Sequence, residues 1–277
     1  MLFGYQTNSL QNHRLVDAFA VLAEHGCRAV GITPDVGHLD PARTTEHELA
    51  EVASQLRDCG LLPVMETGAR FLLDPRHKHE PTLMTRDRAA RARRLDYTTR
   101  TAAMGARLGA RVVSFWAGID RAAGPDSEAW LLEGISQSCA AIRAEGLTPS
   151  LEPEPGMAVA TVADWQRVRA ALGSAGPGLT LDIGHLYVDQ EPDPVGVIRA
   201  VAPFLSQVHL EDMRYGVHEH LVPGTGDVDF IAVLTGLRAT GYAGPVCFEL
   251  SRSSHLGPQA VAACRAVWDQ ALSGTVG

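Results

Sequence analysis

Lysine is almost absent from this chain of 277 residues: Lys78 is the only one, and arginine carries the remaining positive charge. A bias that broad reads as a coding preference, so the arginines as a class single out no site. Cysteine is sparse too. Cys27, Cys59, Cys139, Cys247 and Cys264 are scattered, odd in number and without a CxxC, which argues against a disulfide framework and fits a reducing compartment. The N-terminus lacks a basic segment followed by an apolar run, and no apolar stretch is long enough to cross a bilayer, so no secretory signal and no membrane partner are expected, and the cytoplasm is the expected location. A formal charge of −8 speaks against nucleic acid, whose phosphates call for a basic face.

Familiar nucleotide and nucleophile motifs are missing as well. The first apolar run ends Tyr5-Gln6-Thr7-Asn8-Ser9, with no GxGxxG to receive a dinucleotide. Gly224-Thr225-Gly226 is followed by Asp227-Val228-Asp229, which is neither that fingerprint nor a P-loop, and no GxSxG elbow occurs.

What is present is a rhythm. Short β-branched or apolar runs alternate with longer amphipathic stretches, the pattern of βαβ units around a parallel sheet. Eight strands are predicted, at 2–7, 28–33, 61–66, 111–116, 147–152, 179–184, 206–211 and 245–250. Thr45-Glu46-His47-Glu48 has the spacing of a capping box, and Leu49, Val52, Ala53 and Leu56 then repeat at helical period. Gly26, Gly60, Gly109, Gly146 and Gly241 each precede a strand, where glycine closes the preceding helix. Eight such units favour a closed (β/α)8 TIM barrel over an open doubly wound sheet, with residues 1–277 as one domain.

In such a barrel the chemistry sits at the C-terminal ends of the strands. The last four strands end Leu151-Glu152-Pro153-Glu154, Leu181-Asp182-Ile183-Gly184-His185, Val208-His209-Leu210-Glu211-Asp212 and Phe248-Glu249-Leu250-Ser251. Each group alone has an ordinary explanation: a solvated strand-end Glu, an Asp capping the next helix, a satisfied core His. Together on consecutive strands, Glu152, Asp182, His209 and Glu249 would converge on one mouth, where buried carboxylates need a cation. Three carboxylates and one imidazole make an oxygen-rich site for Mn²⁺ first, then Mg²⁺, Co²⁺ or Zn²⁺. Glu154 shares the side of Glu152 but lies between two prolines, so it is either a second acid in the mouth or a loop residue. Glu211 and Asp212 read as supporting or surface residues. Trp116, ending strand four, is either a pocket wall or ordinary packing. Lys78, in Arg76-His77-Lys78-His79, is either part of a solvated loop or a contact for a substrate's phosphate or carboxylate.

The segments around Asp182, His185 and His209, the later His218-Glu219-His220-Leu221-Val222-Pro223-Gly224-Thr225-Gly226-Asp227 and Glu249 together resemble the xylose isomerase-like barrel superfamily. That superfamily includes ketose 3-epimerases, sugar-phosphate isomerases, inosose dehydratase and endonuclease IV. The resemblance is strongest from Glu152 to Glu249 and reaches the first half only through its rhythm. It implies that Glu152, Asp182, His209 and Glu249 ligate the metal, and that His185 and Arg214 face substrate oxygens. His220 would contact substrate or occupy a second-metal position. Glu66 stands where endonuclease IV carries a histidine ligand; that departure, the non-histidine end of strand four and the acidic charge all point away from DNA repair, and Glu66 counts among the substrate-facing candidates. The long segment 71–86 looks like a lid carrying Arg70, Arg76 and Lys78, suited to a phosphorylated, acidic or cyclic substrate.

The implied chemistry is removal of a proton beside a metal-chelated carbonyl, through an enediolate, with Glu152 and Glu249 exchanging the protons. A sugar, sugar phosphate or polyol ketone would be isomerised or epimerised. The alternatives are a lyase on the same scaffold, such as an inosose-type dehydratase or a C-glycoside-cleaving enzyme, and a metal-binding barrel without sugar chemistry. The partner expected is a small sugar-like molecule, with a homo-oligomer as the assembly common among the resembling enzymes.

Overall fold

The computed structural model describes residues 1–273. Eight parallel strands close a barrel in the order β1-β10-β7-β6-β5-β4-β3-β2. They are β1 (Leu2–Gln6), β2 (Ala29–Ile32), β3 (Leu62–Glu66), β4 (Val112–Phe115), β5 (Thr148–Leu151), β6 (Gly178–Asp182), β7 (Leu205–Leu210) and β10 (Pro245–Phe248). Each matches a predicted strand to within two residues at either end. Helices α1 (Leu15–Glu24), α2 (Glu46–Asp58), α3 (Arg88–Leu108), α4 (Ser127–Ala144), α5 (Val162–Leu172), α6 (Ile183–Val188), α7 (Pro194–Val201), α8 (Phe230–Ala239) and α9 (Pro258–Ser273) lie between and after them.

The local signals act as their chemistry requires. Thr45 and Glu48 close a reciprocal capping box at the start of α2. Gly109 ends α3 with φ of 83°, a left-handed conformation that a side chain would disfavour. Along each strand the residues alternate. Phe3 and Tyr5, Val30 and Ile32, Val113 and Phe115, Val246 and Phe248 join the apolar layer under the helices. The intervening residues meet across the barrel axis, where the Ser114 and Ser150 hydroxyls lie 2.9 and 2.7 Å from Thr180 Oγ1. Close packing sets this inner layer. Gly31 of β2 pairs in register with Gln6 of β1, and a Cβ on Gly31 would stand 1.8 Å from Gln6 Oε1.

One element was not expected. After β7 the chain forms an antiparallel hairpin of β8 (Asp212–Arg214) and β9 (Val217–Leu221) before the glycine turn. Asp212 organises it. Its Oδ2 accepts backbone N–H bonds from Gly224, Thr225 and Gly226 at 2.7, 2.9 and 2.8 Å. Its Oδ1 accepts from Met213 and Val228 at 3.0 and 3.1 Å. Far from lying on the surface, Asp212 is buried, and five N–H donors compensate its charge.

Candidate metal and substrate site

The strand ends place Glu152, Asp182, His209 and Glu249 together, with one ligating atom from each within 4.8 Å of the others. β10, β7, β6 and β5 are neighbours in the barrel, so four consecutive strand ends supply the group. His209 is its centre. Its Nδ1 lies 2.9 Å from Glu152 Oε1, 3.4 Å from Glu249 Oε2 and 3.9 Å from Asp182 Oδ2. Asp182 does two things at once. Its Oδ1 accepts the His185 N–H at 3.0 Å, capping α6, while among the described residues no N–H or hydroxyl donates to the buried Oδ2 and the neighbouring acid is Glu211. The helix-cap reading of Asp182 is therefore correct for one oxygen and leaves the other for the cluster.

The donor set fits a divalent cation on these observations. An unpartnered buried carboxylate oxygen, two further carboxylates and an imidazole nitrogen converge where water is scarce. Mainly oxygen donors with one nitrogen suit a hard or borderline ion. The electrostatics agree. Burial, and then the Glu249 charge, push Glu152 above the usual carboxylate range against the pull of His209. Burial works against a charged His209, but Glu152 and Glu66 outweigh it and hold the imidazole well above its ordinary value. Proton and metal compete for the same Nδ1 lone pair, so metal affinity falls as pH falls.

On the other side of the ring, His209 Nε2 lies 3.1 Å from Glu66 Oε1. Gln6 donates to that same oxygen at 3.1 Å, and Gln207 donates to it as well. A carboxylate behind the imidazole fixes the tautomer that turns Nδ1 toward the cluster. Glu66 therefore sits on His209 as well as lining the cavity.

A cavity of about 420 Å³ opens above the cluster. It is lined by Glu66, Lys78, Trp116, Glu154 and His220 among the expected residues, by Arg70, expected as a cation of the lid segment, and by Asn8, His218 and Arg252, which were not expected there. Asn8 donates to Glu249 Oε1 at 2.6 Å. Glu154 is inside the mouth, and its carboxylate lies 3.7 Å from His185 Nε2 and 3.9 Å from His218 Nε2. Burial, and the charges of Glu152 and Glu249, push Glu154 up to about 8 despite His185. His185 itself does not line the cavity. It donates from Nδ1 to the Pro153 carbonyl at 2.9 Å, and Asp182, Glu154 and Glu152 overcome its burial to hold it at about 9. Trp116 packs at once as wall and as structure, with the Arg94 guanidinium 4.5 Å from its ring.

Arg214 is not brought to the cavity. It is exposed on the hairpin, and Glu219 Oε1 takes its guanidinium at 2.7 Å. The unforeseen hairpin is the cause, since it turns Arg214 toward its own second strand. His218 was missed although it stands two residues before His220, a spacing that puts both on one face of an extended segment. Gln6 and Gln207 were missed because single polar residues within apolar strands carry no motif.

The profile of the family described as xylose isomerase-like TIM barrel matches residues 19–269. The chain is 28% identical over 246 residues to the L-ribulose 3-epimerase of Mesorhizobium japonicum, covering 84% of this chain and 75% of that protein. Among solved structures, a D-tagatose 3-epimerase-like protein superposes with a TM-score of 0.80 at 18% identity, over 99% of this chain and 97% of the other. An IolI protein with a binding zinc atom superposes with a TM-score of 0.79 at 16% identity, over 99% of each chain. At those identities the structural likeness speaks for the fold.

Proposed function

Because this chain belongs to the xylose isomerase-like TIM-barrel family, we propose that it is a divalent-metal-dependent isomerase or epimerase of a sugar-like ketone. One observation carries the reading: the ligating atoms of Glu152, Asp182, His209 and Glu249 converge within 4.8 Å of one another, and Glu152, His209 and Glu249 line the floor of a cavity. The 28%-identical L-ribulose 3-epimerase supports the substrate class. The oxygen-rich donor set favours Mn²⁺, with Mg²⁺, Co²⁺ and Zn²⁺ as the other ions it suits.

A cation bound there supplies electrostatic stabilisation of the negative charge that develops on the substrate's carbonyl oxygen. The chain's own residues move the protons. β10 and β5 are the outer two of the four neighbouring strands, so Glu249 and Glu152 approach from the two ends of the arc. One carboxylate takes the proton from the carbon beside the carbonyl, leaving an enediolate, and the other returns a proton. Burial raises Glu152, which strengthens it as a base. Asn8 holds Glu249 through its carboxylate, and Glu66 holds His209. Trp116 walls the cavity, while Glu154, with His218 and His220 beside it, faces the substrate's hydroxyls.

The test is metal content by elemental analysis, followed by incorporation of deuterium from D₂O into a panel of ketoses. About one Mn per chain and exchange of a carbon-bound hydrogen are expected, both lost in Glu152→Gln and His209→Ala proteins that remain folded. A folded protein that binds no divalent metal when supplied with it would overturn the reading. A product lighter by one water would replace isomerisation with a lyase reaction.

A further inference from the structure

The cavity's floor is acidic, yet three cations stand in its lining: Arg70, Lys78 and Arg252. Two of them come from the segment between β3 and α3, and the third follows β10. Arg70 is anchored, with Nε 3.4 Å from Asp35 Oδ2 and Nη1 donating to Gln11 at 3.0 Å. Lys78 and Arg252 are both exposed. Among the described residues neither forms an ion pair, and Arg252 is held only by donating to the His218 carbonyl at 3.0 Å. The chain's single lysine is therefore spent on this rim.

Partial burial, then the charges of Arg70 and Arg252, push the Lys78 ammonium below the usual lysine range, against the opposing pull of Glu154 and Glu249. The backbone that presents two of these cations is constrained as well. Ala69, Arg70 and His79 have φ of 51°, 43° and 69°, a region that non-glycine residues seldom adopt. The segment is pinned there because the His79 N–H donates to the Arg70 carbonyl at 2.7 Å. Strained backbone of this kind persists where surrounding structure holds a functional group in place. Behind the wall, buried Arg94 donates to the Thr67 carbonyl at 2.7 Å and has no acidic partner among the described residues; its Nη1 has no hydrogen-bond partner. It adds a fourth positive charge to the same side.

We propose that Arg70, Lys78 and Arg252 form a subsite for an anionic oxygen group, a phosphate ester or a carboxylate, carried by the sugar-like substrate. A negative group seated between them relieves their mutual repulsion and satisfies donors that have no acidic partner in the protein. The acids of the floor do not use these cations up, because a metal held by Glu152, Asp182 and Glu249 offsets two of their three formal charges. The substrate then lies with its carbonyl end over the floor and its anionic end at the rim. This assignment rests on the sugar-isomerase reading for the nature of the rest of the ligand, and on the three cations alone for the anion.

Two measurements separate these. First, inorganic phosphate is titrated calorimetrically into Mn²⁺-loaded native protein, Mn²⁺-loaded Arg76→Met, whose exposed side chain lies outside the cavity lining, and Mn²⁺-loaded Lys78→Met/Arg252→Met, with melting curves confirming that each is folded. Binding in the first two proteins and a loss of about tenfold or more in the third are expected, the scale of one charge-assisted hydrogen bond. Phosphate binding that survives the rim substitutions, as it would on the metal alone, or that falls equally in Arg76→Met, overturns the subsite. Second, binding of a ketopentose, its 5-phosphate and the corresponding sugar acid is compared. A preference of about tenfold or more for one of the anionic ligands over the neutral sugar, abolished by the rim substitutions, identifies the group. Equal binding of all three overturns the proposal. If phosphate binds at the rim but no ketose exchanges hydrogen, the isomerase reading falls and the anion subsite stands.

Discussion

The two halves of the barrel mouth divide the work unequally. On the arc β10-β7-β6-β5 the strand ends carry Glu249, His209, Asp182 and Glu152, whose ligating atoms meet. On the opposite arc, β1 to β4, the polar strand residues are amides, hydroxyls and one carboxylate: Gln6, Glu66 and Ser114. None of these joins the cluster. Gln6 and Glu66 hold the far side of the His209 ring, and the loop after β3 supplies two of the three rim cations, the third following β10. One arc presents the ligands, and the other orients them and shapes what may enter.

That division can be broken by substitution. The largest effect belongs to the first arc. Glu152→Gln should lower turnover by about 10²-fold or more, and both it and His209→Ala should abolish stoichiometric metal. Steady-state rates and elemental analysis check both. Glu66→Gln, on the opposite arc, should weaken metal binding by only about 10- to 100-fold, as expected of a partner that orients a ligand. Competition with a chelator measures it, and a complete loss of metal equal to that of His209→Ala would make Glu66 a ligand and erase the contrast between the arcs. Asp212→Asn removes the charge that gathers five N–H groups, and thermal denaturation should show a loss of about 1–3 kcal/mol with metal content retained.

The smallest effect concerns the rim. Burial, foremost, pushes His79 from 6.5 down to about 4. The folded state therefore holds it neutral where the unfolded chain binds a proton. The stability this gives is fully present above pH 6.5 and is lost as pH falls through about 4. Unfolding of metal-free protein across that window should be less pH-dependent in His79→Gln than in the native protein. Equal slopes would mean that His79 is hydrated in solution and that its segment packs less closely against Trp116 than the 5.0 Å ring separation indicates.

Much of this was legible because strands and metal ligands leave local marks. Glycine at helix ends and short apolar runs located all eight barrel strands, and three carboxylates and a histidine at the ends of four of them located the cluster. The supporting residues left no such mark. Gln6 matters because the β1–β2 register sets it beside Gly31 and because the barrel's closure carries it to His209, a residue 203 positions away. Gln207 is an isolated polar residue in a strand, and its importance arises because His209, two residues on, meets Glu66 across the axis. The hairpin was illegible for another reason. Its strands are short, and what stabilises it is less strand propensity than Asp212 and the turn at 224–226. Arg214 was misplaced as a consequence, because its position depends on a fold-back that no periodicity signals.

Asp212 also bears on how this protein could diversify. Residues 213 to 228 leave the barrel and return to it tied to a single carboxylate, so the excursion behaves as an exchangeable cassette. Its middle carries His218 and His220 into the cavity, while its two ends are clamped by the same side chain. The constraint is least at the exposed hairpin tip, residues 214–217, whereas Met213 and Val228 stay fixed in the core at either end. New specificities could then be auditioned at the mouth without the barrel having to be rebuilt around them.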